Sequence, residues 1–283
     1  MVPRTTARSN GRRHRDRKAG PATYLPLYEA KMVQAYDHRA AGVRIETGNW
    51  MRQGQTDDTN LVEHQNPEFT VMPRYWVDER EVDASFENHP PAFLGFKDIT
   101  SPANQRTIIA SFIPYSAVTN HFPLMLSTRN ARMQACLLGN LNSFAFDYIT
   151  RQKIGGITLN FFIVEQLPTL PPDVYEEKCP WDKKQTLEKW ISERVLRLTC
   201  TSNDMLPLAK AAGFEPGIVK WKEEERGRIR AELDAAYLRL YGIDEDDIEY
   251  ILGTFQGVAN EDEAHDGIGP TRQRIHEALE WIK

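Results

Sequence analysis

A chain of 283 residues with 41% hydrophobic content is long enough for one large or two ordinary domains around a real core. It has no run of about 18 apolar residues, which argues against a membrane-spanning helix, and no apolar stretch after its basic N-terminus, which argues against a secretory signal. Three well-separated cysteines with no Cys-x-x-Cys pair speak against a zinc site or a disulfide framework and make a reducing cytoplasm the expected setting. Along the chain, residues 1–22 are rich in Arg, Ser and Gly, have no apolar pattern, and are expected to be disordered, either as a DNA-binding arm or as a start-site artefact.

The stretch 47–68 is polar and reads as loop. Strands are expected over 93–100 and 106–114, where Thr107 to Ile113 is β-branched and stops at Pro114, with a short strand at Leu124–Leu126. One helix is expected from about Asn130 to Thr150 behind a Thr128 cap, since Met133, Leu137, Leu141, Phe144 and Tyr148 fall on one stripe. Arg151 and Lys153 sit at its end, where the macrodipole favours cations, and Gly155-Gly156 supplies the stop. The apolar run 157–164 reads as a strand buried on both faces, which places Phe161 in the core with Leu137.

Pro168 to Pro172 reads as a stiff hinge. Helices are expected beyond it over 183–199, 221–241, 245–252 and 272–283, with Gly242 ending one and Asp244 capping the next. The fold class expected is α+β: a mixed α/β domain over 23–170 and a mostly helical module over 171–283.

Charge is unevenly spread. Residues 1–20 carry seven Arg or Lys against one Asp, and residues 176–283 carry 16 basic against 23 acidic. Between Phe96 and Val164 there are six basic groups, Lys97, Arg106, Arg129, Arg132, Arg151 and Lys153, and two acidic ones, Asp98 and Asp147. A locally basic segment in a chain of net charge −5 suits either a limited DNA-facing surface or ordinary surface charge.

The order Asn142-Ser143, Arg151-Gln152-Lys153, Gly155-Gly156 and Gln166-Leu167-Pro168 resembles the target-recognition region of large adenine-specific DNA methyltransferases. Those are the combined restriction–modification enzymes and their relatives in phage-defence systems. Leu27, Tyr28, Glu29, Lys31, Met32, Asp37, His38 and Arg39 are similar to a segment that follows the catalytic domain there, with Ala30 in place of the usual glycine. Leu233-Asp234-Ala235, Leu240-Tyr241-Gly242-Ile243 and Tyr250-Ile251-Leu252 resemble a third segment near the end of the same enzymes. The resemblance covers about residues 24–283 as a set of spaced motifs. It implies double-stranded DNA as one partner and a separate methyltransferase catalytic chain as another.

The chemistry of methyl transfer is not legible here. The Gly-x-Gly at Gly267-Ile268-Gly269 lies in an acidic loop instead of following a strand. The nearest match to a base-flipping Pro-Pro-aromatic loop, Asn66-Pro67-Glu68-Phe69, has Glu68 in place of the second proline. S-adenosylmethionine is therefore expected on the catalytic partner, with no cofactor, metal or catalytic residue in this chain. Pro172-Asp173 and Glu176-Glu177-Lys178 are too close to place a nuclease's carboxylates on neighbouring strands, and His38 between Asp37 and Arg39 reads as a structural hydrogen bond. Ser143 lacks nucleophile-elbow glycines and reads as a backbone-bonding helix residue.

What remains is recognition. Phosphates need cations, and base edges need Arg, Lys, Asn or Gln. The DNA-contacting set expected is Lys97, Arg106, Arg129, Arg132, Arg151, Gln152 and Lys153. Arg129 and Arg132 stand out because they open a helix, where the dipole disfavours cations. Two other readings stay open, a helical protein-interaction subunit and a non-functional gene remnant.

Overall fold

The computed structural model describes residues 22–45, 48, 54–101 and 104–282; all but the last residue of the basic tail lies outside them. The chain has the expected α+β composition, with most of its small sheets in the first part and a mostly helical part from residue 131 onward. Strand β1 (Tyr24–Tyr28) leads through a 3-10 turn at Ala30–Met32 to β2 (Ala41–Val43), which pairs antiparallel with β3 (Thr56–Asp58). The polar stretch expected as loop thus contributes β3 and also α1 (Leu61–Gln65). A reciprocal capping box between Asn60 and Glu63 nucleates this short helix, a local signal that its apolar content does not reveal.

Strand β4 (Trp76–Asp78) runs antiparallel to β1, and α2 (Glu79–Asp83) follows under the Asp78 cap. Strands β5 (Phe93–Phe96) and β6 (Ala110–Ile113) form an antiparallel pair with every residue buried. Gly95 is required in β5, because a Cβ there would lie 2.5 Å from the Phe122 ring. β7 (Ala117–Val118) adds parallel to β1 and completes a sheet ordered β4-β1-β7. The strand expected at Leu124 is a single bridge to Gly95.

The helix expected over 130–150 is two helices. α3 (Ala131–Leu141) starts under an Asn130 cap, not Thr128, and α4 (Phe144–Lys153) starts under Ser143. The break has a cause: the Asn142 amide accepts from the Ala110 N–H and donates to the Ala110 carbonyl, both at 2.9 Å, so it pairs with β6 instead of continuing the helix.

The run 157–164 is not a buried strand. Thr158 makes one bridge to Ile99, and the chain then turns into the one-turn helix α5 (Phe161–Val164). Ile157, Phe161 and Phe162 are 69%, 61% and 60% exposed. The Asn160 carbonyl accepts from the N–H groups of Ile163 and Val164, which starts a helical turn in place of a ladder.

Beyond the prolines come α6 (Pro172–Glu176) and a hairpin of β8 (Lys178–Cys179) and β9 (Asp182–Thr186). The hairpin takes the residues expected to begin the next helix, so α7 (Leu187–Thr199) starts under a Thr186 cap. α8 (Leu206–Ala211) and α9 (Glu223–Leu240) follow, and Gly242 ends α9 at a positive φ of 67°. The last helices are α10 (Glu245–Gly253), α11 (Gln256–Ala264) and α12 (Pro270–Trp281).

One continuous core runs from Tyr36 to Ile282 and takes residues from both sides of position 170. α3 packs on α7, and α9 on α12 and α4. Gly139 lets α3 approach closely, since a Cβ there would meet the Tyr237 hydroxyl at 3.1 Å and Val195 at 3.2 Å. A smaller core of Tyr28, Met32, Val33, Val43, Val71, Phe93, Ile113 and Phe122 lies under the first sheet. The three cysteines are buried and unpaired, and among the described residues no helix is long and apolar enough to cross a membrane.

Candidate nucleic-acid interface

The motifs that carry the resemblance fold into buried polar ties. Arg39 is fully buried and donates to the backbone carbonyls of His64, Asn66, Phe69 and Thr201, with a further bond to the Thr201 hydroxyl. Its neighbour Asp37 accepts from the Arg39 N–H and faces His64 Nε2 at 3.0 Å, and His64 stacks on Trp221 at 3.9 Å. Burial alone would raise the Asp37 carboxyl, but the His64 hydrogen bond and the charges of His64, Arg226 and His38 leave it below the usual range.

His38 Nε2 lies 3.1 Å from both Asp204 Oδ1 and Ser202 Oγ, and the Ser202 hydroxyl donates to Asp204. This is not a catalytic relay. Nucleophile and orienting carboxylate must use opposite ring nitrogens, and here they share one. Burial would raise Asp204 too, yet the His38 charge and hydrogen bond, the Ser202 hydroxyl and Arg39 hold it at about 2.

The Asn142-Ser143 motif is equally structural. Ser143 Oγ donates to the Asn140 carbonyl and accepts from the Phe146 N–H. Asn140 holds the Leu170 N–H and the Tyr241 hydroxyl, which in turn donates to the Pro168 carbonyl. The Gln166-Leu167-Pro168 end of the motif is thereby fastened to the residue just after α9.

Three of the seven expected DNA contacts are committed internally. Arg132 donates to Ser192 Oγ at 3.1 Å and the Gly213 carbonyl at 3.0 Å, which joins α3 to α7 and to the residues after α8. Arg151 donates to the carbonyls of Asn104, Gln105 and Thr254, lies 3.9 Å over the Phe255 ring and faces Asp147. Arg106 stacks 3.4 Å over Phe144 and pairs with Asp234 at 3.4 Å. Their cationic side chains are engaged within the fold, which accounts for them by packing.

The other four are free of such partners. Arg129, Gln152 and Lys153 are exposed, and their side chains have no hydrogen-bond or ion-pair partner among the described residues. Lys97 is half-buried with no anionic partner, and burial alone brings its ammonium down to about 8.

Lys97 lies on the strand extension that receives the 157–159 segment. The Leu159 N–H donates to the Asp98 carbonyl and the Thr100 N–H to the Ile157 carbonyl. Gln152 and Lys153 open the turn that enters this segment, where Gly155 and Gly156 have open space on their Cβ sides. Exposed Ile99, Ile157, Phe161 and Phe162 complete the surface, with Phe161 edge-on to Phe96.

The aromatic part of this surface was missed from sequence. Its signal was two adjacent phenylalanines directly after an Asn able to start a turn. No protein-family model, curated protein or solved structure matches this chain.

Proposed function

We propose that this chain is the DNA sequence-recognition part of an adenine-specific DNA methyltransferase in a restriction–modification or phage-defence system, with the methyl-donor site and base-flipping loop on a separate catalytic chain. The observation that carries the reading is the surface around Gly155-Gly156. Partner-free Lys97, Gln152 and Lys153 adjoin an open glycine turn and exposed Phe161 and Phe162. Cations and amides next to exposed aromatic groups, with backbone free to approach a phosphate, are what a duplex-reading loop requires. The spaced motifs of the resemblance support the same reading.

The test is DNA binding by the chain together with its catalytic partner, over a series of salt concentrations. Lys153→Ala and Arg129→Ala should each weaken binding evenly across sequences and flatten the salt slope by about 0.9 for each phosphate no longer neutralised. Gln152→Ala should relax preference at one base position by roughly 1–3 kcal/mol. An unchanged affinity, slope and preference for all three variants would remove the physical basis of the proposal. The chain alone should neither bind S-adenosylmethionine in calorimetry nor methylate DNA; saturable binding would place the donor site here instead.

A further inference from the structure

Behind the α4 N-terminus, a cavity of about 290 Å³ opens between α9, α11 and α12. Its charged lining is Arg106, Arg230, Arg274, Asp234 and Glu261. Both carboxylates are already engaged: Asp234 accepts from the Phe144 N–H at 2.8 Å and from Arg106, and Glu261 accepts from the Thr271 N–H at 2.9 Å. The guanidiniums are engaged only in part, through the one Arg106–Asp234 pair. Arg106 Nη1 is buried without a hydrogen-bond partner, while its plane is fixed by the Phe144 ring 3.4 Å away. Arg230 and Arg274 have neither an ion pair nor a hydrogen bond among the described residues.

Two glycines keep the walls close to these groups. A Cβ at Gly227 would lie 3.1 Å from Arg274 Nη1, and one at Gly257 would lie 3.1 Å from Gln105 Cγ. Larger side chains at these two positions would crowd Arg274 and the Gln105 wall.

Three arginines and two carboxylates line the cavity, so its charged lining is cationic in excess. An unsatisfied buried guanidinium N–H costs stability unless an acceptor arrives, and an excess of cations over carboxylates favours an anionic ligand. Guanidinium forks match phosphoryl oxygens in pairs, and one carboxylate would leave most of these donors unused. We propose that this cavity binds a phosphoryl group held by Arg106, Arg230 and Arg274. The group can belong to a free phosphorylated small molecule or to a DNA backbone phosphate. The cavity is separate from the Gly155-Gly156 surface, so its occupancy does not depend on DNA recognition there.

Inorganic pyrophosphate is the probe, titrated into the full chain by calorimetry at fixed ionic strength in low-chloride buffer. Saturable one-to-one binding is expected, at least tenfold weaker for Arg230→Gln with Arg274→Gln. It should change less than twofold for Arg228→Gln, a surface arginine paired with Glu232 outside the cavity. Neither Arg230 nor Arg274 has an internal partner among the described residues, so the double variant should melt with the wild type; if it does not, exposed Arg230→Gln alone is read against the same threshold. Absence of saturable binding, or an equal loss in Arg228→Gln, overturns the site. Competition by a short DNA duplex distinguishes the two sources: displacement of pyrophosphate identifies a backbone phosphate, and retention identifies a free molecule.

Discussion

Arg39 shows what one buried cation does for this chain. Its guanidinium gathers carbonyls from residues 64, 66, 69 and 201, so it closes the first part of the fold onto the loop after α7. Arg39→Ala would leave those acceptors without donors, and destabilisation by about 3–5 kcal/mol is expected in chemical denaturation. A loss below about 1 kcal/mol would mean that water takes over the bonds. Asp204 adds a pH dependence. Its folded pKa of about 2 lies below the usual 3.8, so its stabilisation is fully present above about pH 4 and is lost as pH falls toward 2. Asp204→Asn should flatten the acid limb of the stability profile, and an unaltered limb would assign it to other carboxylates. Lys97 behaves oppositely. It loses its charge above about pH 8, so any contribution to DNA affinity present at neutral pH should fade by about pH 9 in the wild type and persist in Lys97→Arg. Parallel pH profiles for the two would exclude Lys97 from the contact. At this scale the sequence was a partial guide. His38 was legible as a hydrogen-bonding residue, but its partners Asp204 and Ser202 lie 166 and 164 residues away and were not. Arg132 and Arg151 were not legible, because their partners lie up to 81 and 103 residues away and a helix dipole speaks only for its own last turn.

At the scale of elements, the helical stripe over 130–150 was correct for Met133, Leu141 and Phe144, which are buried, less so for Leu137 and Tyr148, which are half-buried, and wrong in its continuity. Periodicity reports which side is apolar; it carries no trace of an asparagine whose amide binds a strand 32 residues earlier. The apolar run 157–164 failed for a related reason: an apolar run does not say whether anything covers it. The two cases give opposite expectations. Leu138, buried in α3 where that helix packs on α7, should cost about 2–5 kcal/mol as Leu138→Ala. Phe161→Ala, on an exposed turn, should change stability by less than about 0.5 kcal/mol while weakening DNA binding. Thermal or urea melts of the pair check both, and a large loss for Phe161→Ala would show the ring to be covered. Gly95→Ala belongs with Leu138, since the new methyl would press on Phe122 and the Pro123 carbonyl.

At the scale of the molecule, the α+β class was readable from strand-like runs before residue 130 and helical periods after it. A boundary near 170 was read from the prolines, two of which cap and open α6. Packing answers a different question, and the main core passes from α3 and α4 into α7 and α9 without interruption. One cooperative unfolding transition is expected, with far-UV and near-UV dichroism coincident in urea. A fragment ending at Leu170 should lose near-UV signal, because it exposes the faces of α3 and α4. Two separated transitions, or a fragment with native near-UV signal, would establish independent domains.

The bond from the Phe144 N–H to Asp234 spans 90 residues. A ribosome adding roughly 5–20 residues per second therefore finishes α4 on the order of ten seconds before its distant cap exists. Throughout that interval the nascent chain presents the α4 face that α9 will cover, and the α3 face stays open until α7 is made. Birth of this protein is thus a vulnerable period set by chain order, and its yield should respond to translation speed and to chaperone supply more strongly than the finished molecule's stability would suggest.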